Sequence, residues 1–120
     1  MSADRKQNYA LGLKAESAAA FWLQIKGYRI LERRYKTPMG EIDLIARKGR
    51  MLAFVEVKAR QTKHQALESL TPQMRRRIER AASSYISHNP VENCDMRFDL
   101  VTVTPPFFIH HLDNAWQQAA

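Results

Sequence analysis

Apolar and polar residues follow two different periods along this chain, and the changes of period mark out its elements. From Tyr9 to Lys26, YALGLKAESAAAFWLQIK is alanine-rich with apolar residues at helical spacing. Leu13, Ala20 and Leu23 share a face beside Phe21 and Ile25, and Gly27 suits a helix C-cap. YRILERRYK predicts a strand, ended by the breaker TPMG. Two apolar runs joined by a polar turn follow, GEIDLIARKGRMLAFVEVKAR, and predict a β-hairpin. QTKHQALES is a polar connection leading toward a helix. Thr71 caps that helix and Pro72 takes its first position. It runs to about His88 and buries Ile78, Ala81, Ala82, Tyr85 and Ile86. NPVENCD is a loop, MRFDLVTVT a strand broken by Pro105-Pro106, and FFIHHLD a last strand. The order αβββαββ predicts one domain over residues 1–120, of α/β class, with a mixed sheet of about five strands flanked by helices.

The hairpin carries acids where a sheet gains more from valine. A two-residue loop at Lys48-Gly49 sets Glu41 opposite Glu56, and a four-residue loop sets Asp43 opposite Glu56. Either loop places Ile42, Leu44, Ala46, Met51, Ala53, Val55 and Val57 on one wholly apolar face. The other face is apolar near the turn, with Ile45, Leu52 and Phe54. At its far end it gathers Glu41, Asp43, Glu56 and Lys58. A three-residue loop destroys this partition, so the pattern selects the register.

Like charges placed opposite each other destabilise a sheet, and burying them unpaired costs several kcal/mol each. A solvated edge, pairing with arginines, or a hard divalent cation would offset this. Mg²⁺ or Mn²⁺ takes oxygen ligands, commonly one or two carboxylates completed by water and substrate phosphate. A Zn²⁺ site is not indicated, because no paired Cys/His spacing occurs. His110 and His111 are adjacent, point opposite ways on a strand, and read as structural or surface residues.

Charge changes the picture further. Nineteen Lys and Arg stand against twelve Asp and Glu, a formal +7 with a pI near 9.9, which points to a polyanionic partner. The cations cluster, and Arg47, Lys48, Arg60, Lys63, Arg75, Arg76 and Arg77 are candidates for gripping a nucleic-acid backbone without reading sequence. Trp22 reads as core rather than as a base-stacking platform. No apolar run approaches the roughly 18 residues of a membrane span, and MSADRKQNYA has no apolar segment of a secretory leader. The single cysteine, Cys94, allows no intrachain disulfide and fits a cytoplasmic location as a small buried or half-buried side chain.

Asp43, twelve intervening residues, then Glu56-Val57-Lys58 resembles the PD-(D/E)XK core of the restriction-endonuclease-like nucleases. More closely, GLKAESAAAFWL, GEIDLIA, FVEVKAR and RFDLVTV resemble the YraN-like family of small bacterial proteins, assigned to that superfamily by similarity. The resemblance covers roughly Leu11 to Trp116. It implies a restriction-endonuclease-like fold, with Asp43 and Glu56 as metal ligands and the Val57 carbonyl a third. It implies that Lys58 positions or helps deprotonate the attacking water. Glu41 and Glu16 match acids near the metal in resolvase-like relatives, which also suggests branched or structured DNA as substrate. Relatives often carry a lysine or glutamine on the second helix facing the site. Gln73 or Met74 stands near that place, and only Gln73 has the chemistry.

Two functions follow from different premises. One is an Mg²⁺- or Mn²⁺-dependent nuclease hydrolysing phosphodiester bonds in DNA. The other is a nucleic-acid-binding module or assembly factor that keeps the fold with little or no catalysis. Only the first requires Glu56 and a divalent ion for turnover. The oligomeric state is left open, a dimer included.

Overall fold

The hairpin closes on Gly49, whose φ of +58° lies in the left-handed region that glycine enters without a Cβ penalty. In a computed structural model, which describes residues 3–106 and 108–118 and side chains from residue 11 onward, that turn joins the second and third of five strands. The elements are α1 (Ala3–Ile25), β1 (Arg29–Thr37), β2 (Gly40–Lys48), β3 (Met51–Ala59), α2 (Lys63–Glu68), α3 (Pro72–His88), β4 (Asp95–Thr104) and β5 (Phe108–Trp116). The strands form one mixed sheet in the order β1-β2-β3-β4-β5. Only β3 and β4 run parallel, because α2 and α3 carry the chain back across the sheet between them. This αβββαββ arrangement of long elements is consistent with a restriction-endonuclease-like fold. The polar connection after β3 forms the short helix α2 of its own, capped by Thr62, whose hydroxyl accepts from the Gln65 N–H.

Local chemistry sets the helix ends. Thr71 Oγ1 accepts the Met74 N–H at 3.2 Å, and Pro72 takes the first position of α3. At the end of α1, Tyr28 N–H reaches the Leu23 carbonyl and Gly27 N–H the Gln24 carbonyl, with Gly27 at φ +96°. That double bond is a Schellman closure and needs the left-handed residue in the middle.

The sheet is covered on both faces. On one face α1 lays Ala15, Ala19, Ala20 and Leu23 against Leu44, Ala46, Ala53, Val55, Val57 and Val101. The alanines let the helix approach the strands closely. Phe21 and Ile25, expected beside that face, are instead 64% and 61% exposed, and Leu13 is half-buried. Trp22, expected in the core, is also exposed, because the small residues fill the space against the sheet. On the other face α3 brings Ile78, Ala81, Ala82 and Tyr85 onto Ile45, Leu52 and Phe54, with Ile86 only half-buried. Across this core Phe98 stacks on Trp116 and meets Phe54 at a tilt. Complete burial of Phe54 alone stabilises by about 2–3 kcal/mol.

The hairpin register pairs Lys48 with Met51, Ala46 with Ala53 and Leu44 with Val55 around Gly49-Arg50. Of the two predicted registers it is the one that, continued one residue, points Asp43 at Glu56, but it is reached through a two-residue turn at Gly49-Arg50 rather than through a four-residue loop. Another predicted detail fails. Ile42 packs into the α3-side core while Leu44 and Ala46 pack on the α1 side. The β2 strand therefore turns over between residues 42 and 44, where its ladder to β3 ends. Gly40 lies so close to α3 that a Cβ there would sit 2.5 Å from the Arg77 carbonyl oxygen. That contact draws the start of β2 beneath α3.

Among the described residues, no helix is long and apolar enough to cross a membrane.

Candidate active site

Where β2 and β3 part, the backbone of β3 loses a strand partner and a side chain takes its place. Asp43 Oδ2 accepts the Val57 N–H at 2.8 Å. In a strand, a residue's N–H and C=O face the same neighbour, so the Val57 carbonyl opens toward the same gap. Glu56 is buried, and its carboxyl lies within hydrogen-bonding reach of that of Asp43. Burial first, then the hydrogen bond and charge of Asp43, push Glu56 up to about 9, although the nearby Lys58 ammonium opposes the shift. At neutral pH, without a cation, Glu56 therefore keeps its proton.

Two cavities meet at this pair. The α3-side cavity, about 440 Å³, is lined by Glu41, Asp43, Glu56 and Lys58 below and by Thr71, Gln73, Met74 and Arg77 of the α3 end above. The α1-side cavity, about 490 Å³, adds Leu11, Glu16, Val57 and Arg60. Asp43, Glu56 and Lys58 line both, at the point where the two cavities adjoin. Glu16 approaches from α1 and is engaged by Arg34, whose Nε donates to Oε2 at 2.9 Å. Burial raises the Glu16 pKa, the charges of Asp43 and Glu41 add to this, and Arg34 offsets part of it.

Whether these residues suit a divalent ion is a question of donor chemistry. Every near donor is oxygen, and the two carboxyls line the same two cavities. Burial beside Asp43 favours the protonated Glu56, and a divalent cation would take the place of that proton. Among the described residues no three His, Cys, Asp or Glu side chains converge tightly enough to hold an ion by themselves. The donors match a hard ion that takes two carboxylates and one carbonyl and leaves its other positions to water and substrate, which is the Mg²⁺ pattern.

The predicted cations separate into groups. Arg60 and Arg77 line the two cavities. Lys63 is exposed at the start of α2, and Arg76 is exposed on α3. Arg75 turns the other way, 6.0 Å from the Trp116 ring, and its Nε is buried without a hydrogen-bond partner. Arg47 and Lys48 sit at the turn, roughly 13 and 17 Å along β2 from Asp43 at about 3.3 Å per residue. There Arg47 donates to the Gly49 carbonyl and Lys48 lies over the Tyr28 ring at 5.5 Å. The structure does not bring those two to the acids. Both residues weighed on the second helix, Gln73 and Met74, face the α3-side cavity.

Sequence reasoning missed Arg34, which has φ +52° inside a strand. A non-glycine residue in that region is strained by about 1–3 kcal/mol, and here the turn aims its guanidinium at Glu16. It also missed a second charged cluster on the α1 face. Asp99 is fully buried and accepts from Arg97 at 2.7 and 2.8 Å, from His111 Nε2 at 2.7 Å, and from the Asn114 N–H at 3.0 Å. Burial alone would raise the Asp99 pKa, but those donors outweigh it and hold the carboxyl below its ordinary range. His111 is thus a buried structural residue and His110 an exposed one, as their alternation along a strand requires. With its acceptor sites taken and no bordering cavity among those described, Asp99 ties β4 to β5 and to Tyr28, whose hydroxyl accepts from Arg97. The visible signal was the pair Arg97 and Asp99, charged residues two apart within an otherwise apolar strand.

The model of a family described as Uncharacterised protein family UPF0102 matches residues 15–103. A UPF0102 protein of Parvibaculum lavamentivorans is 49% identical over 110 residues, 91% of this chain and 83% of that protein. One from Paramagnetospirillum magneticum is 48% identical over 111 residues, 88% of this chain and 86% of its own. One from Maricaulis maris is 45% identical over 117 residues, 97% and 92% of the two chains.

Proposed function

We propose, for a chain that belongs to the UPF0102 family, a metal-dependent nuclease that hydrolyses phosphodiester bonds in DNA, branched or structured DNA in particular. The observation that carries this reading is that Asp43, Glu56 and Lys58 line the same two cavities, with Asp43 fixed by the Val57 N–H and with Arg60 and Arg77 in the linings. Asp43, Glu56 and the Val57 carbonyl would hold Mg²⁺ or Mn²⁺, which supplies charge neutralisation at the phosphate and lowers the pKa of a bound water. The rest is the work of the chain. Lys58 orients the attacking water and stabilises charge developing on the phosphoryl oxygens. Arg60 and Arg77 hold flanking phosphates. Glu41 and Glu16 add negative charge around the ion, with Glu16 positioned by Arg34. Water adds to phosphorus, one P–O ester bond breaks, and the leaving alkoxide takes up a proton.

The test is cleavage of single-stranded, duplex and branched DNA with Mg²⁺ or Mn²⁺. Asp43→Asn and Glu56→Gln abolish turnover with the fold intact. Lys58→Ala lowers it by about 10²–10⁴-fold, as for a lost acid–base group. Glu56→Gln cutting as fast as the parent defeats the reading. The arginines in the cavity linings serve equally one alternative, a nucleic-acid-binding module on the same scaffold with little catalysis. On that account DNA affinity survives and no divalent ion produces turnover.

A further inference from the structure

A third depression, about 380 Å³, opens beside the acidic site and shares Leu11, Ala59 and Arg60 with the α1-side cavity. Unlike its neighbours it has no carboxylate lining. Leu11, Val103 and the Pro105-Pro106 pair give it apolar walls, and Gln61 and Gln65 bring side-chain amides. Flat apolar walls suit the π-face of a nucleobase, and an amide that both donates and accepts suits its edge. Arg60 stands at the junction of the two cavities, where a guanidinium favours a phosphate. Ala59 and Arg60 lie one and two residues beyond Lys58, roughly 3.3 and 6.6 Å along the strand. A strand with a phosphate at Lys58 therefore reaches the groove with its neighbouring nucleotide.

We propose that this groove seats an unpaired nucleobase next to a phosphate held by Lys58 beside Asp43 and Glu56. The inference rests on the nuclease reading and narrows its substrate to strands with a single-stranded tail, gap or flap. A base within a duplex exposes only its edges, so its face has no access to these walls. Continuity with the acidic cavity and the positive charge at the junction both favour a nucleic-acid strand over other occupants.

The test compares DNA affinity in EDTA, so that it does not depend on turnover, for duplexes with an intact single-stranded tail and with an abasic tail carrying the same phosphates. The intact tail binds about tenfold tighter, the effect of stacking one base. Gln65→Trp fills the groove from an exposed position of α2, and Leu11→Ser weakens a wall. Each brings the ratio below about twofold. Equal affinity for intact and abasic tails overturns the proposal and leaves the groove to an apolar side chain of a protein partner. A tenfold ratio that both variants leave untouched also overturns it. Cleavage assayed on the same preparations separates the two claims. No cleavage with the base preference intact removes the nuclease alone, and cleavage with no preference removes the base seat alone.

Discussion

Glu56→Gln should make the metal-free protein more stable, by an amount that grows with pH. The Glu56 carboxyl moves from an ordinary 4.5 to about 9 on folding, first because it is buried and then because Asp43 is against it. An acid raised in this way binds a proton in the folded state that the unfolded chain has released. Between about pH 4.5 and pH 9 the parent therefore loses about 1.4 kcal/mol of stability per pH unit. At pH 7 the accumulated loss is about 3 kcal/mol, an upper bound because Glu56 interacts strongly with its neighbour. Glutamine has a similar shape and can donate to Asp43 as the protonated acid does, yet it never ionises. Parent and variant should melt together near pH 4, and the variant should melt on the order of 10 °C higher at pH 7. Mg²⁺ should then act on the parent alone, adding about 2.7 kcal/mol at a hundredfold excess over its dissociation constant. Thermal melts at pH 4, 5.5, 7 and 8.5, with and without Mg²⁺, read both effects. Melting curves for parent and variant that stay parallel across this range would refute a buried Glu56 that keeps its proton on folding.

Gly40→Ala should destabilise by about 1–3 kcal/mol in urea denaturation, because the new methyl meets backbone rather than a movable side chain. An unchanged midpoint would mean that α3 does not rest on β2 there. Arg77→Ala should flatten the salt dependence of DNA binding by about 0.9 in log–log slope per lost phosphate contact, while Arg47→Ala should leave it unchanged. Equal effects of the two would remove the distinction between cavity and turn cations. Asp99→Asn should cost about 3–5 kcal/mol at pH 7, since it leaves Arg97 without its buried partner. The donors hold Asp99 below its ordinary 3.8, so its contribution is present above that pH and fades as pH falls further. Melts of parent and variant should converge in acid, and a gap that widens there would contradict the assignment.

What the sequence made legible follows from which interactions are local. Period-two alternation in the hairpin carried Asp43, Glu56 and Lys58 to one place, and the capping chemistry of Thr71 and Pro72 marked the start of α3 at its first residue. Ile42 was misplaced because alternation assumes an unbroken ladder, and β2 turns over where Asp43 replaces a strand partner. Ala20 and Leu23 of the buried α1 face were placed correctly, but Phe21 and Ile25 were drawn toward it because alanine carries little hydropathic contrast. Arg34 depends on a left-handed backbone within a strand, which no propensity announces. The Asp99–His111 bond joins residues twelve apart on neighbouring strands, and its partners are settled only by the bulged pairing of β4 with β5. Arg47 and Lys48 belonged to a charge cluster in the sequence, but strand length carries that cluster away from the acids.

The central claim is that Asp43 and Glu56 together hold a divalent ion. Anomalous diffraction from crystals soaked in Mn²⁺ tests it most directly. A peak about 2.0–2.2 Å from an oxygen of each carboxyl and from the Val57 carbonyl is the predicted result. The same soak of Glu56→Gln should show no peak there. Crystals of the parent at saturating Mn²⁺ with no density between the two acids would contradict the account.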